Sequence, residues 1–349
     1  MIDRVLLLTP SRGLGGGIER YSETLEWAFT EEGIECRRID LSRAGPLGHA
    51  RMFADAVKRL RSSTGRTRLV LAHPSLLPVA VALAEVRPVR GISVVCHGCE
   101  VWGTRRRPRQ YIEQHLMSRP AVRVVAASSF TSGVLSACSP ATILPPGLSP
   151  AWFDTLVKAS ADEATRDPGI DLITAFRLAD WRDKGLPELL EAVEAVGRPD
   201  VRLTVCGSGE PSRELAGLVE RYERCVIRPG LTDSELACEL ARSDLFVLAT
   251  RTRRGRSPCG EGFGLVLVEA QVAGTPVVGP SFGGSHDAYV DRLTGVTPTD
   301  ESAAALAKVL DEVLGDPREL AEMGRVAGRW ARDCFAPKRY ARRAVARLL

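Results

Sequence analysis

Two glutamates eight residues apart, Glu261 and Glu269, mark the stretch "CGEGFGLVLVEAQVAGTPVVGP" at residues 259–280. Glu261 stands among Gly260, Gly262 and Gly264, and Glu269 interrupts an apolar run that ends at Gly274 and Pro276. The pattern predicts a strand over 244–250, a glycine loop and a helix over 264–273. Glu269 lies five residues past Gly264, about one and a half turns into that helix. A carboxylate buried there without a partner costs several kcal/mol, so it needs a ligand hydroxyl or a basic group. The amides of Phe263, Gly264 and Leu265 fall at the positive end of the helix dipole, which suits an anion. An N-cap or an internal salt bridge would explain either glutamate alone. The pair, in this setting, favours a ligand.

A second cluster lies in "AFRLADWRDKGLPELLEAV" (175–193), where Arg177 follows a strand and Lys184 opens a helix seven residues later. Two cations on one loop suit a diphosphate that gains charge as it leaves, although each alone reads as surface charge. His97 follows the strand "ISVVC" in "HGCE" and can act on a substrate hydroxyl. A structural histidine partnered by Glu100 is the plainer reading. The first strand ends in "TPSRGLGGGIERY", where Gly13, Gly15, Gly16 and Gly17 precede a helix and leave room for a phosphate. A dinucleotide fingerprint counted from Gly13 fails at Ile18. Asp40, at the end of the second strand, still stands where the ribose-binding acid of an NAD-dependent oxidoreductase would lie.

These side chains need elements to position them. The chain has 349 residues, 44% of them hydrophobic and 26% charged, which suggests about two soluble domains. No apolar run approaches the ~20 residues that span a bilayer, and the N-terminus lacks a signal-peptide pattern. A cytoplasmic location is expected. The nine cysteines are scattered, with only Cys96 and Cys99 close together, so reduced thiols are expected and a structural zinc is not. The net charge of +4 marks no nucleic-acid binder. Residues 51–68 nonetheless carry six Arg or Lys against one Asp, and "RRRPR" (105–109) and "KRYARRAVARLL" (338–349) add more. Such runs read as solvated helix faces. A peripheral contact with anionic lipid at the inner face of the membrane, or a phosphorylated acceptor, is the alternative.

Short Val/Ile/Leu-rich runs alternate with amphipathic segments, the pattern of parallel α/β sheets. Strands are expected at 4–9, 35–40, 68–72, 92–96, 122–127 and 141–145, then at 171–176, 201–206, 225–229, 244–250 and 275–279. Helices are expected at 19–32, 129–137, 185–196, 210–222, 232–242 and 264–273. A helical tail from about 301 is broken near Pro317 and Pro337. The segment 148–168 has another texture and reads as a connector. The expected domains are therefore 1–150, a linker at 151–168, a second domain at 169–330, and a C-terminal helix at 331–349 that packs back on the first. Two doubly wound sheets would leave a cleft at their carboxyl ends.

As a set, these motifs resemble the retaining glycosyltransferases of the GT-B fold, family GT4. "EGFGLVLVEAQVAGTPVVG" resembles that family's paired-glutamate signature, and "FRLADWRDKG" its diphosphate-binding Arg…Lys-Gly segment. "GGGIERY" is similar to its N-terminal glycine loop, "HGCE" to its histidine segment, and "LPPGLSPAWF" to its turn into the linker. "FGGSHDAYVDRLTG" matches the stretch after the glutamate helix, with Asp287 where a Glu is usual. The basic loop "RTRRGRSPCGEGFG" is similar to that of bacterial phosphatidylinositol mannosyltransferases.

The resemblance implies an α/β GT-B architecture of two Rossmann-like domains facing a central cleft. It implies a hexosyltransferase that uses GDP-mannose or a UDP-sugar. Glu269 would bind the ribose, Glu261 the transferred sugar, and Arg177 and Lys184 the diphosphate, with His97 near the sugar. Gly15, Gly16, Gly17, Gly207, Arg228, Gly262, Phe263, Gly264 and Leu265 would complete the donor site. Retention of the anomeric configuration follows from the family. No Asp-x-Asp triplet occurs, and the two cations can carry the charge a metal would, so metal-independent transfer without a cofactor is expected. The acceptor, whether sugar, small metabolite or lipid, is not legible. Rival readings are the NAD-dependent oxidoreductase, a GT-B pseudo-glycosyltransferase or nucleotide-sugar epimerase, and a non-catalytic nucleotide-sugar sensor. The oxidoreductase leaves Arg177, Lys184, Glu261 and Glu269 unexplained.

Overall fold

A computed structural model describes residues 2–10, 17–61, 66–102, 108–161, 168–253 and 258–349. The chain divides into two compact units, one built mainly from residues 1–149 and 336–349, the other from 150–253 and 259–335.

The first unit holds β1 (Arg4–Thr9), α1 (Gly17–Glu31), β2 (Glu35–Asp40), α2 (Pro46–Leu60), β3 (Thr67–Leu71) and α3 (Leu77–Val86). It continues with β4 (Ile92–Cys96), α4 (Cys99–Trp102), α5 (Pro108–Met117), β5 (Val122–Ala126), α6 (Ser129–Leu135) and β6 (Ala141–Ile143). The strands form one parallel sheet in the order β2-β1-β3-β4-β5-β6. Its central strands β3 and β4 are buried along their whole length, which is why "TRLVL" and "ISVVC" read as mainly apolar runs instead of alternating ones. The edge strand β2 is only half-buried, and its sequence ECRRID is correspondingly polar.

The second unit begins with α7 (Pro150–Ala159) and β7 (Ile170–Ala175), followed by α8 (Leu186–Val196), β8 (Val201–Gly207), α9 (Arg213–Val219), β9 (Cys225–Pro229) and α10 (Asp233–Arg242). Then come β10 (Leu245–Val247), α11 (Leu265–Val272), β11 (Val277–Val278), β12 (Gly295–Val296), α12 (Ala303–Leu314) and α13 (Pro317–Cys334). Its six parallel strands run β12-β11-β10-β7-β8-β9. The helix starts carry local signals: a capping box between Thr232 and Glu235 on α10, Ser302 capping α12, and Asp316 with Pro317 opening α13. The last helix, α14 (Pro337–Leu348), belongs to the first unit, where Tyr340, Ala341, Ala344 and Leu348 pack with residues of α1 and β1.

Two expectations change. Residues 150–159 of the anticipated connector form α7, because Trp152 and Leu156 fall on one helical face and are buried; the helix packs on α10 and α11. The two-residue strand β12 was not anticipated, and the strands expected at 244–250 and 275–279 shorten to three and two residues. The exposed cations Arg51, Lys58, Arg59 and Arg61 of the basic run stand on or just after α2, with Met52, Ala56 and Leu60 buried beneath them. No helix among the described residues is long and apolar enough to cross a membrane.

In the second sheet, β7 and β10 are neighbours while later strands add on opposite sides. Connections leaving β7 and β10 therefore part to different faces and open a crevice at the strands' carboxyl ends. The first sheet has the same reversal between β1 and β3.

Candidate functional site

The reversal in the second sheet is where Lys184 and Glu261 meet. After β7 the chain makes a short turn at Leu178–Asp180, and the Lys184 amide donates to the Asp180 carbonyl at 2.9 Å. Gly185 then adopts a left-handed conformation, φ 69°, and opens α8. A Cβ on Gly185 would lie 2.0 Å from the Ala249 carbonyl oxygen, so only glycine lets this turn press against the end of β10. The Lys184 side chain consequently reaches across the crevice. Its Nζ donates to Glu261 Oε2 at 2.8 Å and lies 3.5 Å from Thr250 Oγ1. Thr250, buried just past β10, donates its hydroxyl to the same carboxylate oxygen at 3.0 Å.

One Glu261 oxygen therefore serves both donors. The other makes no hydrogen bond among the described residues and can accept a hydroxyl. The Lys184 and Glu261 side chains keep 25% and 13% of their exposure, enough for a ligand to reach both.

Glu261 is also fixed through its backbone. It pairs with Gly283 in a parallel bridge, and the Gly284 amide donates to its carbonyl at 2.8 Å. Beyond it, Phe263 is buried and faces Phe335, ring centroids 6.1 Å apart. Gly264 caps α11 in a left-handed conformation, φ 78°, with no side chain bonding the first-turn amides. That leaves those amides and the helix dipole to an anion. Glu269 is 8% exposed, and its Oε1 accepts from the indole Nε1 of Trp152 on α7 at 3.0 Å. The indole thus supplies a neutral donor to the buried carboxylate.

The other predicted residues of this unit make no contact with Lys184 or the Glu261 carboxylate among the described hydrogen bonds and ion pairs. Arg177 shares the loop after β7 but turns to Asp180, 2.6 Å away, with a largely exposed side chain. Arg228 sits on the edge strand β9 and pairs with Glu239 of α10. Gly207 ends β8 where a Cβ would meet the Phe176 carbonyl oxygen at 2.1 Å, so close backbone approach alone requires glycine there. Gly262 precedes Phe263 in the loop, Leu265 opens α11 half-buried, and Asp287 ends a short turn at Gly284–Asp287. Arg253 pairs with Asp183 at 2.6 Å and bridges to Cys259, closing a loop whose residues 254–257 lie outside the described residues.

In the first unit, His97 follows β4 and its Nε2 lies 2.8 Å from the Ala72 carbonyl oxygen. A carbonyl only accepts, so Nε2 carries the proton and a neutral ring presents Nδ1 as an acceptor. The ring meets Tyr21 edge-on at 5.0 Å. Glu100 accepts from the backbone amides of His97 and Gly98 instead of bonding the ring, which corrects the plain reading of a His97–Glu100 side-chain pair. Asp40 accepts from Thr9 Oγ1 at 2.5 Å and from Arg38 Nε at 2.6 Å, both within the strand ends. Gly17 opens α1, while Gly13, Gly15 and Gly16 lie outside the described residues. Burial pushes the thiols of Cys36, Cys206 and Cys225 up to about 12, so they stay protonated near neutrality and are not nucleophiles. Among the described residues no group of three His, Cys, Asp or Glu is placed to hold a metal.

Residues 161–330 match the family of glycosyl transferases group 1, a span that contains Arg177, Lys184, Thr250, Glu261 and Glu269. Over these residues the chain is similar to that family. One family relative is the GDP-mannose-dependent alpha-(1-6)-phosphatidylinositol monomannoside mannosyltransferase of Mycolicibacterium smegmatis, 35% identical over 43% of this chain and 38% of that protein. The chain thus matches less than half the length of that relative. A D-inositol 3-phosphate glycosyltransferase of Pseudarthrobacter chlorophenolicus is 27% identical over 94% of this chain and 90% of its own. The crystal structure of Anabaena HepE in complex with UDP superposes with a TM-score of 0.74, covering 99% of this chain and 100% of that one at 16% identity. The likeness shows the fold, and with the two sheets it is GT-B.

Trp152 and Thr250 escaped the sequence reading. Thr250 is a single hydroxyl at a strand end, and Trp152 contacts Glu269 across 117 residues of chain. The one available signal was the helical spacing of apolar residues in "PAWFDTLV".

Proposed function

We propose that the protein is a retaining, metal-independent glycosyltransferase that moves a hexose from a nucleotide diphosphate sugar to a hydroxyl acceptor. The observation that carries this reading is the Lys184–Glu261–Thr250 cluster at the strand reversal, with Glu269 eight residues further on in the helix that the glycine loop opens. A ribose would hydrogen-bond Glu269, and the diphosphate would sit against Lys184, Arg177 and the first amides of α11. Lys184 starts out paired with Glu261. Donor binding would set the diphosphate oxygens against Nζ and leave Thr250 holding the carboxylate, whose second oxygen accepts a hydroxyl of the sugar.

As the glycosidic bond breaks, negative charge grows on the departing diphosphate. Fixed cations and helix amides stabilise that charge without reorganising. The names of the relatives favour GDP-mannose as donor and an acceptor bearing an inositol or sugar hydroxyl. A UDP-sugar is the second choice, because HepE binds UDP.

The test is release of GDP or UDP from GDP-mannose or UDP-glucose in the presence of EDTA, with the anomeric configuration of the product read by NMR. Equal release with and without chelator, and a product of unchanged configuration, are expected. Turnover that stops in EDTA would contradict metal independence.

A further inference from the structure

Gln271 is buried, 0% exposed, on α11 two residues beyond Glu269. Its side-chain Nε2 donates to two carbonyls at 2.8 Å each, Leu267 one turn back and Ala288 on the segment after the short turn. Two acceptor partners can be met only by the amide's two N–H groups, so this orientation is forced. The side-chain oxygen has no hydrogen-bond partner among the described residues, and the contact rests on the donors. Ala288 in turn closes the turn by donating to the Ser285 carbonyl at 2.9 Å. At the other end of that turn, Gly283 bridges to Glu261 and Gly284 donates to the Glu261 carbonyl. A Cβ on Gly283 would lie 2.6 Å from that carbonyl oxygen, so backbone touches backbone there.

We infer that Gln271 is a positioning residue for Glu261. It ties the 283–288 turn to α11, and the turn ties down the backbone of the carboxylate that meets the transferred sugar. One helix therefore carries Glu269 directly and sets the place of Glu261 through Gln271, which fixes the two carboxylates relative to each other. This rests on the donor-site reading above. Gln271 touches neither carboxylate, and its effect passes through four hydrogen-bonded backbone groups.

The test compares Gln271→Met, which keeps length and burial but removes both donors, with Gly283→Ala, which strains the same contact from the far side. In both variants hydrogen exchange at the Gly284 amide should accelerate while exchange in α11 stays slow. With nucleotide sugar, kcat should fall about tenfold or more, because small misplacements at a reacting centre are costly. The Kd for nucleoside diphosphate should stay within about twofold, since Glu269 is not on this path. Unchanged Gly284 exchange, or an unchanged kcat in a folded variant, would overturn the inference. If the wild type turns over no nucleotide sugar, the donor-site reading fails instead, and the exchange measurement still decides whether Gln271 holds the turn.

Discussion

Lys184→Ala is expected to lower kcat for sugar transfer by about 10²–10³-fold, the usual cost of removing one preorganised donor from a developing negative charge. The reason is positional. Lys184 is held at the end of β10 by the left-handed Gly185, and its ammonium already lies 2.8 Å from Glu261. A diphosphate arriving there exchanges one anionic partner for another, so much of the ground-state gain is offset by the lost ion pair. The charge that appears during bond cleavage has no such competitor. The loss should therefore fall on kcat more than on KM. Lys184→Arg keeps the charge but changes its shape and reach, and should recover only part of the rate. Steady-state kinetics decide the point: an unaltered kcat/KM in Lys184→Ala would remove the lysine from the chemistry.

The second large effect is expected at Glu269. Hydrogen bonds to a charged group contribute about 1.5–3 kcal/mol, so Glu269→Ala should weaken nucleoside diphosphate binding roughly 10- to 100-fold. The same change leaves the Trp152 indole N–H without its acceptor in a buried place, so a lower Tm should accompany the lost affinity. Trp152→Phe separates the two, since it removes the donor but leaves the carboxylate, and affinity should fall less than in Glu269→Ala. A ribose contact also has its own signature. The wild type should prefer a ribonucleotide over its 2′-deoxy counterpart, and Glu269→Ala should lose that preference. Calorimetry showing equal affinity for both sugars in the wild type would place the ribose elsewhere.

How much of this was legible depends on the range of the interactions. Buried strands such as "VLLL" and "ISVVC" announce themselves locally, because both faces are covered and no charged residue interrupts them. Helix starts at Pro317 and Pro337 were readable for the same local reason. The helix α7 was hidden, because the polar stretch after Lys158 gives the whole segment the look of a connector. Its purpose is non-local: Trp152 finds Glu269 117 residues away. Likewise, the sequence suggested Lys184 and Glu261 as separate ligands of a donor, but not that they pair with each other across 77 residues. Gly207 was expected in the donor site, while the structure demands it for clearance against Phe176, as it demands Gly185 against Ala249. Thr250 carried no signal at all, since one threonine at a strand end is unremarkable until a carboxylate and an ammonium arrive beside it.

The central claim is that the crevice at the β7–β10 reversal binds a nucleoside diphosphate through side chains and amides without a metal. Thermal unfolding of the wild-type chain with saturating GDP, UDP, ADP or NAD, each with and without EDTA, tests it most directly. At 100 times the Kd a ligand stabilises by about 2.7 kcal/mol, a shift of a few degrees for a chain of this length. One nucleoside diphosphate should raise the Tm by that amount, equally in EDTA, and at the same concentration the stabilisation should shrink to about 0.4–1.4 kcal/mol in Glu269→Ala. A rise with NAD alone, or one that EDTA abolishes, would contradict the claim.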